Sequence, residues 1–277
     1  MALSRELGVI IDKETKIMSK PKNIEEYKKW LKDELSVTVS SKTENHYNSV
    51  ANKIKTDFSA SKAWTDLLAQ LHDFNTEYLA KTNYQLLIND FKPELVTKSF
   101  TSFFEKSFRK NVVFNKKFPE PPHGGWITPD NWFENTNDIL RTYFVVKYLD
   151  GVEFLMGKIQ KSFNDNSLKC QNHFEARDEG YYAVHIYTHS EFEIPKVDWD
   201  TETKNISIEL QITTQLQEVI GKLTHQLYED RRVRLDKSDK KWQWNYESEE
   251  FTTNYLGHIL HYVEGMIMEV RNKQSKK

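Results

Sequence analysis

The strongest constraint on the fold is a strict alternation of apolar and polar residues in the last third of the chain. Large aliphatic side chains occupy every second position there: Ile206, Ile208, Leu210 and Ile212. Successive side chains of a β-strand point to opposite faces, so this spacing predicts a strand over Asn205 to Ile212 with one buried face. The polar residues between them, which include Glu209 and Gln211, would share the opposite face. One face of the predicted strand is therefore core, and the other is available for a site.

The first hundred residues show helical periodicity instead. Apolar side chains recur at spacings of three and four in three stretches, which contain Ile24, Tyr27, Leu31 and Leu35; Tyr47, Val50, Ile54 and Phe58; and Trp64, Leu67, Leu68, Leu71, Phe74 and Tyr78. This spacing is typical of amphipathic helices that pack one face against a core. Ser41 and Glu44 have the spacing of a capping box, which predicts the start of the second helix. We expect an N-terminal region of three helices.

A segment rich in proline and glycine separates this helical half from a mixed half. Residues 119–129 read PEPPHGGWITP, a composition that excludes regular helix and predicts a loop. Beyond it, β-branched and aromatic residues predict strands over Thr142 to Leu149 and Ala183 to Thr188. Two helices are predicted over Gln215 to Tyr228 and Phe251 to Val270. A basic loop is predicted between them, over Arg231 to Lys241.

The composition excludes several classes of protein and site. The chain of 277 residues is 38% hydrophobic, enough for a sizeable core, and its net charge of −2 argues neither for nor against a polyanionic partner. Cys170 is the sole cysteine, so an intramolecular disulfide is impossible and a zinc site would need His, Asp and Glu ligands. No apolar run has the length of a signal-peptide core or a membrane span. We expect a cytoplasmic protein without a membrane partner.

Two carboxylates are candidates for a metal site. Asp138 lies just before one predicted strand, and Glu209 lies on the polar face of another. Carboxylates on adjacent strands can hold Mg²⁺ against nucleotide phosphates, because Mg²⁺ prefers oxygen ligands and retains several waters. A third acid, Asp150, precedes Gly151, which is typical of a simple turn. From the spacing alone, ordinary structural roles remain an alternative for all three.

Other side chains could bind a nucleotide. Tyr181 follows Gly180 and precedes a strand, a position from which an exposed ring can stack on a base, although packing at a strand end is the simpler explanation. His185 lies on the same strand, and a histidine in such a position is more often a hydrogen-bonded structural residue than a catalytic one. A basic run could hold a triphosphate or form a solvated helix face: Lys106, Arg109, Lys110, Lys116 and Lys117. The sequence has no GxxxxGK[ST] motif, which excludes a P-loop.

Taken in order, four short motifs resemble the synthetase domain of the RelA/SpoT alarmone family. They are Asp138-Ile139-Leu140-Arg141, Gly180-Tyr181 followed by His185, Glu209-x-Gln211-x-Thr213, and His225-x-x-Tyr228. The resemblance implies an α+β fold, a mixed β-sheet flanked by helices and related to the nucleotidyltransferases. We expect an N-terminal helical region over residues 1–98, a synthetase core over 99–235, and a C-terminal loop and helix over 236–277 that pack on the core.

The resemblance also implies a reaction and the residues that perform it. The family transfers the β,γ-pyrophosphate of ATP to a ribose 3′-hydroxyl, with Mg²⁺ neutralising the phosphates. By position, Asp138 would ligate Mg²⁺, Glu209 would complete the metal site or accept the proton of the attacking hydroxyl, and Gln211 would orient them. The residues expected to bind the acceptor are Arg177, Tyr181 and His185, and those expected to bind ATP are Lys106, Arg109, Lys110 and Arg141.

The sequence departs from the family pattern at two places. Arg141 and Tyr143 stand where the family has glycine and arginine. Tyr182 and Ala183 stand where it has arginine and serine after the stacking tyrosine. Both changes weaken the case for a guanine nucleotide as the acceptor.

Three segments are similar to toxic small alarmone synthetases of toxin–antitoxin and phage-defence systems: residues 105–111, 137–142 and 148–153. Some members of that group modify the 3′-terminal adenosine of tRNA. We therefore predict the 3′-CCA end of tRNA as the acceptor, inhibition of translation as the outcome, and an antitoxin as a potential protein partner. GDP, GTP or an adenine nucleotide is the alternative acceptor, which would make the chain an alarmone synthetase. An inert module that only senses nucleotides is the alternative of another class.

Overall fold

The N-terminal part of the chain forms the three predicted helices. In the computed structural model, which describes residues 20–89, 91–196, 200–223 and 242–274, they are α1 (Ile24–Leu35), α2 (Ser41–Ser59) and α3 (Lys62–Thr82). Asn23 and Ser61 cap α1 and α3, because their side-chain oxygens accept hydrogen bonds from backbone N–H groups three residues on. The capping box of α2 lies one residue earlier than predicted. Ser40 is the N-cap, and its backbone N–H donates to Thr43 Oγ1 (3.1 Å).

A mixed sheet of five strands lies beside these helices. Its strands are β1 (Val96–Thr97), β2 (Leu140–Val146), β3 (Cys170–Ala176), β4 (Tyr182–Pro195) and β5 (Thr201–Thr214). The order in the sheet is β1-β2-β5-β4-β3, in which β2 and β5 are parallel and the other neighbours are antiparallel. The predicted α+β fold with a mixed sheet is confirmed, and β5 contains the whole strand predicted from the alternation.

Further helices flank the sheet. They are α4 (Phe100–Phe108), which continues into a π-helical turn (Arg109–Val113), α5 (Leu149–Asp165), α6 (residues 215–223) and α7 (Glu249–Gln274). Residues 119–129 form a loop, as predicted. The predicted end of α6, the motif His225-x-x-Tyr228 and the predicted basic loop lie outside the described residues. Among the described helices, none is both long enough and apolar enough to cross a membrane.

The strand predicted to reach Leu149 ends earlier, and the turn predicted at Asp150-Gly151 is wrong. Leu149 begins α5, so both residues lie in its first turn. The cause is tertiary: a Cβ at Gly151 would lie 3.0 Å from Leu86 Cδ1 and 3.2 Å from Val146 Cβ, so glycine lets α5 pack directly against the end of β2. Neither α5 nor β3 was predicted.

One continuous core connects the helices with the sheet. The alternating aliphatic residues of β5 are fully buried in it, as their spacing predicts: Ile206, Ile208, Leu210 and Ile212. From α2, the ring of Tyr47 stacks on Phe103 and Phe133, with ring centroids 4.9 and 5.5 Å apart. Because this face of the sheet is covered, the functional groups of β5 must project from the other face.

Candidate active site

Six side chains form a polar surface on the sheet face opposite the aliphatic core. The register of β2, β5 and β4 pairs their residues directly, and paired residues share a face. The two resulting rows are Arg141, Glu209 and Tyr187, and next to them Tyr143, Gln211 and His185. The fold thus brings four predicted site residues together. Tyr187 was missed, although its spacing of two from His185 on one strand was the available signal.

The carboxylate of Glu209 is buried and accepts hydrogen bonds from three side chains. Oε1 accepts from His185 Nδ1 (2.8 Å) and Tyr187 OH (3.0 Å), and Oε2 accepts from Gln211 Nε2 (3.0 Å). Burial acts to raise the pKa of Glu209, but the hydrogen bond and charge of His185, with the bond from Tyr187, outweigh it, and the pKa lies below its usual value. Glu209 is therefore an oriented anion at neutral pH.

A hydrogen-bonded chain connects Glu209 to Tyr181. An ionised carboxylate only accepts hydrogen bonds, so Nδ1 of His185 carries the proton that faces Glu209. The other ring nitrogen, Nε2, lies 3.0 Å from Tyr181 OH. The guanidinium carbon of Arg177 lies 5.1 Å from the centre of the Tyr181 ring. The three residues predicted to bind the acceptor are thus neighbours, and His185 connects them to the carboxylate.

Asp138 lies two residues before β2, and two lysines form ion pairs with it. Its carboxylate accepts from Lys98 Nζ (2.9 Å) and Lys106 Nζ (2.8 Å). Burial acts to raise the pKa of Asp138, but the two ammonium groups outweigh it and lower the pKa to about 2. Lys98 was missed, because it is placed by β1: its backbone N–H donates to Ile139 O (2.8 Å). A two-residue strand gives no periodic signal in a sequence.

These two ion pairs stabilise the fold, and we expect this stabilisation to be lost in acid, when Asp138 is protonated. The pKa of Asp138 is lowered from 3.8 to about 2, so the ion pairs contribute about 2 kcal/mol above pH 4, and this is lost as the pH falls from 4 towards 2. In Asp138→Asn this dependence should disappear. We expect the difference in unfolding free energy between the wild type and Asp138→Asn, measured by urea denaturation, to shrink by about 2 kcal/mol between pH 7 and pH 2. A constant difference would contradict the assignment.

Further cations surround Asp138. Burial is the main cause that lowers the pKa of Lys98, and the positive charges of Lys106 and Arg141 lower it further. Burial and then Lys106 lower the pKa of Lys110, whose Nζ donates to Asn135 O (3.1 Å). Because these positive charges repel one another, binding of a polyanion that neutralises them is favoured. Arg109, the remaining residue predicted to bind ATP, lies 3.9 Å from Glu105 on its own helix.

Asp138 and Glu209 are close enough for the charge of Asp138 to act on the pKa of Glu209. Among the described residues, no group of three or more His, Cys, Asp or Glu side chains is placed to hold a metal. Two carboxylates fit a magnesium ion that takes its other ligands from substrate phosphates and water, because this is how Mg²⁺ is usually bound. The chemistry of these two side chains is therefore that of magnesium ligands, although each carboxylate accepts hydrogen bonds from other side chains in this structure.

The C-terminal helix packs against the turn that carries Tyr181. Gly180 has φ +76°, and a Cβ there would lie 2.4 Å from Asn254 O; a Cβ on Gly257 would lie 2.4 Å from Gly180 O. The backbones of the β3–β4 turn and α7 are thus in direct contact, which only a pair of glycines permits. A glycine inside a helical pattern was the sequence signal for this contact.

Tyr182, one of the departures from the family pattern, holds α7 in place. Its hydroxyl lies 2.8 Å from His258 Nδ1, and its ring stacks on His261 at 3.7 Å between centroids. His258 Nε2 in turn lies 2.8 Å from Asp178 O in the β3–β4 turn. The tyrosine at this position therefore joins the C-terminal helix to the edge of the polar surface.

No protein-family model and no curated protein sequence matches the chain. Solved structures do match it. A GTP pyrophosphokinase family protein from Streptococcus pneumoniae superimposes with a TM-score of 0.52 at 14% identity, over 85% of this chain and 94% of that protein. Small alarmone synthetase 1 from Bacillus subtilis, bound to its product pppGpp, superimposes with a TM-score of 0.51 at 13% identity, over 83% and 94%. The chain has the fold of the small alarmone synthetases.

Proposed function

We propose that the chain is a pyrophosphokinase that transfers the β,γ-pyrophosphate of ATP to a ribose 3′-hydroxyl, with the 3′-CCA end of tRNA as the acceptor. The observation that carries this proposal is the hydrogen-bonded chain from Tyr181 through His185 to Glu209. It joins a ring suited to stacking on a base to a buried, ionised carboxylate. The fold supports the same reaction.

The reaction would use the polar surface as follows. With its base on Tyr181, the acceptor would present its 3′-hydroxyl oxygen to the β-phosphorus of ATP. The new oxygen–phosphorus bond forms as the bond from the β-phosphorus to the oxygen bridging the α-phosphorus breaks, and AMP leaves with that oxygen. The hydroxyl proton passes to Glu209 or, where Glu209 holds the metal, to solvent. The lowered pKa of Glu209 favours the metal-binding role, because it makes the carboxylate a weaker base.

The cations around Asp138 would bind the triphosphate. Lys98, Lys106, Lys110 and Arg141 would offer positive charge to the triphosphate and to the bridging oxygen that gains charge as AMP leaves. Asp138 and Glu209 would hold Mg²⁺, which supplies neutralisation of the phosphates when bound. To bind Mg²⁺, Asp138 would have to lose its contacts with Lys98 and Lys106, which would turn to the phosphates. In the free protein the ion pairs keep these two lysines beside the site.

Tyr143 favours a polynucleotide acceptor. Tyr143 is 44% exposed and lies on the polar surface. It pairs with Gln211 of β5, which in turn pairs with His185 of β4. Single-stranded nucleic acid offers successive bases to successive aromatic rings, so a second ring beside the site suits the unpaired end of a tRNA better than a mononucleotide. A pyrophosphate on the terminal 3′-hydroxyl would block aminoacylation and so inhibit translation. A cell that makes such an enzyme would need an antitoxin or another restraint.

Two alternatives remain for the same surface. A guanine nucleotide as the acceptor is favoured by the B. subtilis structure, which is bound to its product pppGpp. A module that only senses nucleotides is disfavoured by the joint presence of Asp138, Glu209 and Tyr181.

A labelling experiment tests these assignments. The protein is incubated with ATP labelled at the γ-phosphate and, separately, with tRNA, GDP, GTP or AMP. We expect label on tRNA, and ATP labelled at the α-phosphate should instead yield labelled AMP and leave the acceptor unlabelled. Label only on mononucleotides would overturn the tRNA assignment. A folded protein that labels no acceptor would overturn the proposed reaction.

A further inference from the structure

The C-terminal helix α7 turns a polar side towards the rest of the protein. Its buried residues are Asn254, Gly257, Glu264 and Arg271. Glu264 accepts a hydrogen bond from the hydroxyl of Thr214 on β5. Arg271 donates to the carboxylate of Asp150 on α5. An amphipathic helix normally buries its apolar side, so the orientation of α7 is the reverse of the usual one.

The apolar side of α7 faces outward. Large side chains that are 38–72% exposed recur along it: Tyr255, Leu256, Ile259, Tyr262, Met266, Ile267 and Val270. We call this row the apolar stripe. At 3.6 residues per turn it covers an arc of about 140° and lies on the opposite side of the helix from Glu264. The ring of Trp242 contacts Tyr255 at one end of the stripe, with centroids 5.3 Å apart. A continuous exposed apolar surface of this kind marks a binding site for another protein surface.

Opposite charges lie at the two ends of the apolar stripe. Glu249 is in the first turn of α7 and Lys273 is in the last, and the helical period places both within the arc of the stripe. The stripe is centred close to Tyr262, near the middle of the helix. A second α7 that runs antiparallel, about a two-fold axis there, would lay each stripe on the other and each acidic start on a basic end. A parallel pair would place like charges together.

We infer that α7 pairs with the α7 of a second copy of this chain, antiparallel and about a two-fold axis near Tyr262. Ile259 then meets Met266 of the second copy, and Tyr255 meets Val270. The spacings from Tyr255 through Ile259 and Tyr262 to Met266 are 4, 3 and 4 residues, as at the a and d positions of a coiled coil. At 1.5 Å per residue this seam is about 22 Å long. The contact does not depend on the proposed reaction.

The mass of the protein in solution tests this contact. We expect light scattering at about 50 µM protein to give twice the 32.9 kDa of the chain. Ile259→Glu places a carboxylate from each copy in the seam and should give the mass of a single chain. Its circular dichroism spectrum should be unchanged, because Ile259 is 55% exposed. Leu79→Glu makes a comparable change at a 41% exposed position of α3 and should leave the dimer intact.

Two results would overturn the inference. One is a wild type with the mass of a single chain, which would leave the apolar stripe to a different protein. The other is a dimer that persists in Ile259→Glu, which would place the interface elsewhere.

Reversing the charges at the ends of the stripe tests the antiparallel direction and leaves the apolar seam intact. Glu249→Lys alone would bring two lysines together at each end, and we expect it to raise the dissociation constant of the dimer about three- to tenfold, measured by analytical ultracentrifugation. Adding Lys273→Glu restores opposite charges and should return the constant to within about twofold of the wild type. In a parallel pair the second change would restore nothing, and that result would contradict the antiparallel arrangement.

Discussion

Glu209→Gln is expected to abolish pyrophosphate transfer, lowering the rate by at least about 10³-fold, while the fold stays intact. The substitution removes the negative charge but preserves the size of the side chain. The new amide oxygen can still accept from His185 Nδ1 and Tyr187 OH, so the donors on β4 keep a partner. The metal-binding and proton-accepting roles both require the carboxylate, and both are lost. Transfer is measured from ATP labelled at the γ-phosphate, and stability by thermal melting.

A matched control is available on the adjacent strand. Glu193→Gln makes the same change at an exposed position near the other end of β4 and should alter neither transfer nor Tm. Glu209→Gln should shift the Tm by no more than about 3 °C, because Gln211 can turn its amide so that its oxygen accepts from the new amide nitrogen. Transfer by Glu209→Gln within tenfold of the wild type would show that Glu209 neither binds the metal nor accepts the proton.

Gly257→Ala is expected to reduce both stability and transfer, although alanine is the better helix former. Inside a helix alanine is favoured over glycine by about 1 kcal/mol, so any loss must come from the new methyl group. That Cβ would lie 2.4 Å from Gly180 O, and the turn is tied by a hydrogen bond from Arg177 N–H to Tyr181 O (3.0 Å). We expect the free energy of unfolding to fall by about 1–3 kcal/mol. Displacement of Tyr181 should lower transfer about 10- to 100-fold.

Gly265→Ala provides the comparison on the same helix. A Cβ at Gly265 meets nothing within 4 Å, so the substitution should raise stability by up to about 1 kcal/mol and leave transfer unchanged. Thermal melting and the labelling assay measure both variants. If Gly257→Ala behaves like Gly265→Ala, the contact between α7 and the turn does not position the site.

The polar surface was largely predictable because its signals are local. The alternation around Glu209 predicted both the strand and the side to which Glu209 and Gln211 point, since the period of a strand is two. The β-branched and aromatic residues after Asp138 predicted a strand, and so predicted that Asp138 lies just before one. The ends of elements were less predictable: Leu149 continues an apolar run but begins α5, because packing of Gly151 against Leu86 decides where the helix starts.

The amino-acid sequence by itself determined the N-terminal helices, the strand that carries Glu209 and the charged residues available to a nucleotide, because periodicity and residue chemistry act over a few positions. The class of fold followed from the resemblance of four short motifs to a known family. Only the tertiary structure decided which of these residues meet. Lys98 reaches Asp138 from 40 positions away, Tyr187 joins Glu209 through the register of two strands, and α7 reaches the Tyr181 turn through a pair of glycines. Such contacts depend on how distant elements pack, and no local pattern encodes that packing.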